Sequence, residues 1–320
     1  MSQGATRSYA IIGAGALGGY FGARLHHGGL GVHFLLHSDY EHVKRRGLKV
    51  ESCEGDFSIA HPSIFDKARH MPRCDVVLVG LKSTANDLLP AILPHVVNER
   101  AAVLVMQNGL GMEEQVARIV GPTTAVVGGM AFLCSNKVGP GHIRHLDYGQ
   151  VRVGQHTPDG RPAGVTDAMR LIAEDFRRAS VPVDVEEDLV LARWKKLVWN
   201  IPYNGLTVVH NTTTDELMRN PQTRELCESI MREVVAGAAG FGRVVEETFV
   251  QQMLTNTDKM VAYKPSMKLD YESGRAMELE AIYGNPLRAA ASRGVQMPRV
   301  RELYEQLKAV DACGGRDGIS

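Results

Sequence analysis

The stretch YAIIGAGALGGYFGARLHHGG, residues 9–29, constrains the fold more than any other part of this chain. A compact apolar run, Tyr9 to Ile12, ends in glycine and leads straight into a helix-like segment stopped by Gly28 and Gly29. Between them Gly13-Ala14-Gly15-Ala16-Leu17-Gly18 spells GxGxxG. That spacing alone is weak evidence. At the end of a strand and the start of a helix it becomes the turn of a dinucleotide-binding βαβ unit. Gly13 permits the tight turn, Gly15 lets backbone approach a pyrophosphate, and Gly18 lets helix and strand pack closely. The N–H groups at the start of the helix then face the anion. A ligand-free glycine turn and a flavin site are the alternatives.

The segments that follow extend the pattern. VHFLL reads as a second strand, and SDYEHVKRRG as a short helix opened by Ser38, with Glu41 three residues on as in a capping box. DVVLVGLK and AAVLVMQNG are apolar strands separated by the helix-like TANDLLPAILPHV, and AVVGGMAFL is a further strand. Continuous apolar strands alternating with helices indicate a parallel sheet covered on both faces. From Ser135 to Gly154, glycines and Pro140 punctuate short alternating runs, which predicts antiparallel hairpins at the sheet's edge. A helix near 163–179 and the strand VPVDVE close this part.

After Glu187 the strand signals vanish. Helical patterns follow at 189–201, 215–239, 245–262, 276–293 and 299–310. The expected architecture is an α/β Rossmann-like N-terminal domain over residues 1–186 and a mostly α-helical C-terminal domain over residues 187–320. The first few residues and the tail CGGRDGIS are expected to be loose.

Composition narrows the function. A formal net charge of zero excludes a general attraction to nucleic acid or to an anionic membrane. No uninterrupted apolar run reaches the length of a membrane span, and MSQGATRSYAIIGAG holds no signal-peptide h-region. Five scattered cysteines with no CxxC pair suit a reducing compartment, so the chain is expected in the cytoplasm. No metal is expected: HExxH is absent, and the HxxH of His142 and His145 falls in a strand-like stretch.

The end of the second strand should report on the adenosine ribose, where an acid binds the 2′-hydroxyl of NAD and a cation suits the 2′-phosphate of NADP. LLHSDYEHVKRR places His37 at the reading position, and Asp39 two residues on is expected in the first turn of the helix, where the dipole favours a carboxylate. With Ser38 as a phosphate donor and Lys44 to Arg46 nearby, NADP is preferred and NAD stays open.

Both tryptophans fall in RWKKLVWNIPYNGLT, residues 193–207, with two lysines between them. On a helical wheel Val190, Trp194, Leu197, Val198 and Ile201 form one apolar face. Lys196 and Asn200 share another side, and Asn204 extends that stripe if the helix continues past Pro202. Lys195 is offset toward Trp199 and reads as structural. A carbonyl that receives hydride develops negative charge on oxygen, which a neighbouring ammonium stabilises and protonates. Lys196 is therefore the candidate reagent, and a solvated surface lysine is the plainer alternative.

Several stretches together resemble the ketopantoate reductases (2-dehydropantoate 2-reductases) over nearly the whole chain. They are GAGALGG at 13–19, GLK at 80–82, QNGLG at 107–111, WKKLVWNIPYNGLT at 194–207, SMKLDYESGRAMELEAIYG at 266–284 and ASRGVQMP at 291–298. The resemblance implies a C-terminal domain like that of 6-phosphogluconate dehydrogenase. It also implies that Lys196 is the general acid and that Glu278 holds substrate and assists the lysine. Lys82 and Asn108 would lie near nicotinamide and substrate, while Asn200, Asn204 and Ser266 would bind substrate. Chemistry agrees in part: Lys82 and Asn108 each follow an apolar strand, at the edge where α/β sheets bind ligands. A snorkelling lysine, a turn asparagine before Gly109, a helix-capping Ser266 and an exposed Glu278 are the plainer alternatives.

The chain departs from the family at His37, where arginine is usual, and at Met277, Tyr283-Gly284 and Thr214. The expected activity is NADPH-dependent reduction of 2-dehydropantoate to pantoate, for pantothenate synthesis, in a cleft between the two domains. The partner is a small 2-keto acid, and a homodimer is left open. A paralogous NAD(P)-dependent dehydrogenase of another 2-keto or hydroxy acid is the second reading, and a nucleotide-binding sensor without turnover the third.

Overall fold

The Val-, Ile- and Leu-rich runs of the first half are strands buried on both faces, as their unbroken apolarity requires. The computed structural model describes residues 6–314 and opens with β1 (Ser8–Ile12), α1 (Ala16–His27), β2 (Gly31–Leu35) and α2 (Tyr40–Arg46). Three short strands follow, β3 (Leu48–Ser52), β4 (Phe57–Ile59) and β5 (Ser63–Phe65), then a single 3-10 turn, Ala68–His70. Next come β6 (Cys74–Val79), a 3-10 stretch Ser83–Leu88, α3 (Leu89–Val96), β7 (Val97–Val105) and α4 (Met112–Val120). A long hairpin, β8 (Ala125–Gly139) and β9 (His142–Gln155), precedes α5 (Asp167–Arg178) and β10 (Val183–Val185).

These strands form one sheet in the order β4-β3-β9-β8-β7-β6-β1-β2-β5, with β10 paired to β9. β1 lies parallel to β2 on one side and to β6 on the other, with Ile12 opposite both Leu35 and Val79. The chain leaves β1 toward β2 and later returns on the far side with β6. The carboxyl end of β1 is therefore a topological switch point, the place where open α/β sheets bind ligands.

Two expectations fail here. The hairpin of β8 and β9 is not at the sheet's edge, because β3 pairs parallel with β9 and β4 lies beyond it. The Ser38 capping box does not form either: α2 starts at Tyr40, and no side chain caps it.

The chain divides into two units, Met1–Gln107 with Met112–Leu189, and Asn108–Gly111 with Val190–Ser320. The second unit is helical. α6 (Leu189–Val209) runs on through Pro202, and Trp194, Leu197, Val198 and Ile201 are buried in its core. α7 (Thr214–Arg219) and α8 (Pro221–Gly240) replace the single helix expected over 215–239. Asn220, at φ −86° and ψ 118°, is held out of the helical region by the proline that follows, and its side chain accepts from Gln222 N at 2.9 Å to cap α8. Then come α9 (Glu247–Asp258), the short α10 (Ser266–Glu272), a π-helical stretch Glu280–Gly284, α11 (Asn285–Ser292) and α12 (Pro298–Gly314). Cys313 and Gly314 thus continue a helix, whereas the rest of the tail and residues 1–5, also expected to be loose, lie outside the described residues. Among the described residues no helix is long and apolar enough to cross a membrane.

Candidate active site

In the first unit the glycine turn is built by close approach of backbone. Gly13 sits at φ +93°, and a Cβ there would come within 2.5 Å of Leu81 N. A Cβ on Gly18 would overlap the carbonyl oxygen of Gly13, so α1 packs directly onto the turn. Gly15 is different: a Cβ there would meet nothing within 4 Å, and the residue lines a cavity of about 520 Å³. α1 has neither a side-chain cap nor an acid in its first turn, which leaves its N-terminal N–H groups available to an anion. The turn, an open Gly15 and an uncapped helix fit a dinucleotide pyrophosphate.

From Gly13, Ala14 and Gly15 the cavity extends to His37, Ser38 and Asp39 after β2. Leu88, Ala91, Ile92 and His95, spaced as one helical face, form another wall suited to a flat base. Lys67 and Arg69 line it as well, from the link between β5 and β6. Ala16, Leu17 and Gly18 shape the start of α1 but are not part of the lining.

Asp39 does not serve the dipole of α2 as expected. It is 6% exposed, and its carboxylate accepts from Lys137 Nζ at 2.7 Å and from Gly141 N at 2.9 Å. Burial works to raise its pKa, but the bonds from Lys137 and Gly141 win and hold the carboxyl below its ordinary value. The expected cations are also replaced. Arg46 lines a separate cavity of about 370 Å³ with His42, Lys49 and His142, and Lys44 and Arg45 line neither cavity. Lys67, Arg69 and Lys137 stand at the first cavity instead.

In the second unit Lys196, Asn200 and Asn204 follow one another along α6 at one-turn intervals. Asn204 Nδ2 donates to Asn200 O at 3.0 Å, while its Oδ1 accepts from Met267 N at 3.2 Å. That second bond fastens the first turn of α10, which Ser266 opens with its side chain exposed. Lys196 is partly buried, and Glu278 is 7% exposed. Burial of the ammonium, reinforced by the buried Arg193 and opposed by Glu278, lowers the Lys196 pKa to about 7. Lys195 has an ordinary structural contact, its Nζ 5.6 Å from the centre of the Phe249 ring.

Asn108 belongs to this second unit. The next residue, Gly109, has φ +98°, and a Cβ on it would overlap the carbonyl oxygen of Ala281 in the π-helical stretch. That same oxygen accepts from Leu110 N at 3.0 Å, and Asn285 Nδ2 donates to Leu110 O at 2.7 Å. The wide turn that begins two residues after Glu278 therefore anchors the chain beside Asn108. Such turns frequently mark functional sites.

The structure thus brings Gly13, Ala14, Gly15, His37 and Ser38 to one cavity, and Asn200, Asn204 and the start of α10 to one another. Lys82 follows the cavity-lining Leu81 but is outside the lining, as is Asn108. Sequence reasoning missed Lys67, Arg69, Lys137, Arg193 and the buried Gln107, whose amide donates to Leu81 O at 2.9 Å and Asn86 Oδ1 at 2.6 Å. The only available signal was for Gln107, which follows an apolar strand in QNG. His142 Nε2 lies 3.0 Å from Glu51 Oε1, and the His145 ring bonds Ser52 Oγ and Tyr148 O. Among the described residues no group of three or more His, Cys, Asp or Glu is arranged to hold a metal ion.

Comparisons with known proteins agree over nearly the full length. The family model described as ketopantoate reductase PanE/ApbA matches residues 9–158, and its C-terminal counterpart matches residues 188–311. A 2-dehydropantoate 2-reductase of Nostoc is 52% identical over 305 residues, 95% of each chain. A solved 2-dehydropantoate 2-reductase from Geobacter metallireducens superposes with a TM-score of 0.90 at 41% identity, covering 94% of this chain and 99% of its own. One from Methylococcus capsulatus gives 0.88 at 29% identity, covering 97% and 98%.

Proposed function

The chain belongs to the ketopantoate reductase family, and on that premise we propose that it reduces 2-dehydropantoate to pantoate with NADPH. The observation that carries the reading is Lys196, an amine held by its surroundings at a pKa of about 7 beside Glu278 and one turn from Asn200. In the first unit the Gly13–Gly15 turn and the start of α1 would hold the pyrophosphate, with the Leu88, Ala91 and Ile92 wall against the adenine.

When bound, the cofactor supplies hydride to the carbonyl carbon, C2. Lys196 stabilises the charge that grows on the carbonyl oxygen and gives it a proton, a transfer made easier because its ammonium is a stronger acid than that of an ordinary lysine. Near pH 7 a substantial fraction of the amine carries its proton, and bulk water restores that proton between turnovers. Glu278 favours the charged form of the amine, against burial and Arg193, and accepts from a substrate hydroxyl. Asn200, Asn204 and Ser266 fix the keto acid, Asn204 also holding α10 in place.

The test follows loss of NADPH absorbance with 2-dehydropantoate and a panel of other 2-keto acids, at several pH values. Turnover with 2-dehydropantoate is expected, with kcat/KM for reduction falling about tenfold per pH unit above pH 7 as Lys196 loses its proton. Turnover of a different keto acid alone would reject the substrate, and a flat profile up to pH 9 would reject Lys196 as the acid.

A further inference from the structure

We propose that Arg69, assisted by Lys67, binds the 2′-phosphate of the cofactor and so sets a preference for NADPH over NADH. The inference rests on the NADPH reading above. In a fold of this kind the residues after the second strand meet the adenosine ribose. An ionised acid with free oxygens there would accept from a 2′-hydroxyl and repel a phosphate. The acid of this chain, Asp39, is in no position to do either. It is buried, and its oxygens are engaged by Lys137 Nζ at 2.7 Å, by Gly141 N at 2.9 Å and by Ser38 Oγ at 3.2 Å.

The same cavity is lined by Lys67 and Arg69, both exposed, on either side of the buried Ala68. Among the described residues neither is in an ion pair, and the side-chain hydrogen bond of Arg69 runs from its Nε to His70 Nε2 at 3.4 Å. Asp66, the remaining acid of the lining, lies 3.6 Å from His70 Nδ1. Three cations, Lys67, Arg69 and Lys137, thus line this end against two carboxylates, Asp39 and Asp66, which leaves an excess of one cation, with His37 as a further polar group. A dianion is the ligand such a set favours, and the planar guanidinium fork of Arg69 matches phosphate oxygens in pairs.

Calorimetric titration of the full chain with 2′,5′-ADP and with 5′-AMP isolates the 2′-phosphate without any turnover. The unaltered protein is expected to bind 2′,5′-ADP at least about tenfold more tightly. Arg69→Gln should remove most of that advantage while leaving 5′-AMP affinity unchanged, which also reports an intact cavity; Lys67→Gln should remove less. If the unaltered protein discriminates and Arg69→Gln does so equally well, the assignment is overturned and the NADPH reading stands. If the unaltered protein binds the two nucleotides alike, the NADPH reading falls and the assignment falls with it.

Discussion

Replacing Lys196 by methionine should nearly abolish turnover and, at neutral pH, make the folded protein more stable. The surroundings of this amine lower its pKa from 10.5 to about 7, burial first and the Arg193 charge second, against the pull of Glu278. The folded state therefore holds that proton roughly three decades more weakly than the unfolded chain does. At pH 7 the difference amounts to a destabilisation of at most about 4 kcal/mol. Methionine has a similar reach and carries no charge to desolvate. The substitution also strips Glu278 of its counter-charge, so a net gain of about 1–3 kcal/mol is expected. The sign of the pH dependence separates this cause from better packing. Below pH 7 both states of the unaltered protein are protonated and the full penalty applies. Between pH 7 and 10.5 the folded amine is neutral while the unfolded one stays charged, so the penalty shrinks as pH rises and vanishes near 10.5. Urea midpoints of both proteins at pH 7 and pH 10 measure it, and the advantage of Lys196→Met should largely disappear at the higher pH. Reduction should meanwhile fall by about 10²- to 10⁴-fold, the range for loss of a general acid, with 2′,5′-ADP affinity unchanged. A stability difference independent of pH, or a variant less stable than its parent at pH 7, would refute the reasoning.

Asn204→Ala removes the acceptor of Met267 N and loosens the first turn of α10. It should raise KM for the keto acid several-fold and cost about 1–3 kcal/mol of stability, with 2′,5′-ADP binding unaltered; an unchanged KM would count against a substrate role for this turn. Gly109→Ala forces a side chain into φ +98° and onto the Ala281 carbonyl. Calorimetry should show a lowered unfolding temperature, and an unchanged one would mean that the π-helical stretch yields freely. Lys137→Met uncovers the charge of Asp39 and should weaken binding of 2′,5′-ADP more than that of 5′-AMP. Adding Asp39→Asn should restore it, and failure of that rescue would show that Lys137 acts in its own right.

What could be read from residue order was whatever one segment decides for itself. The strand, turn and helix around GxGxxG depend on glycines a few positions apart, and the structure shows the steric reason for Gly13 and Gly18 within that same segment and the strand beside it. The stripe of Lys196, Asn200 and Asn204 was likewise legible, because a helix turns periodic spacing into a shared side, and α6 carries it past Pro202. The break between α7 and α8 was within reach too, since Asn220-Pro221 spells a stop and a cap, but amphipathic spacing on both sides concealed it. The environment of Asp39 was not legible by any local rule. Its partner Lys137 stands 98 positions away on β8, and that meeting requires β3 to pair with β9. Arg69 and Lys67 escaped notice for a related reason. The short β5, only Ser63–Phe65, pairs with β2, and this carries the next few residues to the end of β2, where charge decides what can bind. The acid closest in sequence to the reading position is thus silenced by one distant cation, while two others supply the charge. Local sequence established that a nucleotide could bind at this turn; which nucleotide depends on strand pairing, and strand pairing is not a local property.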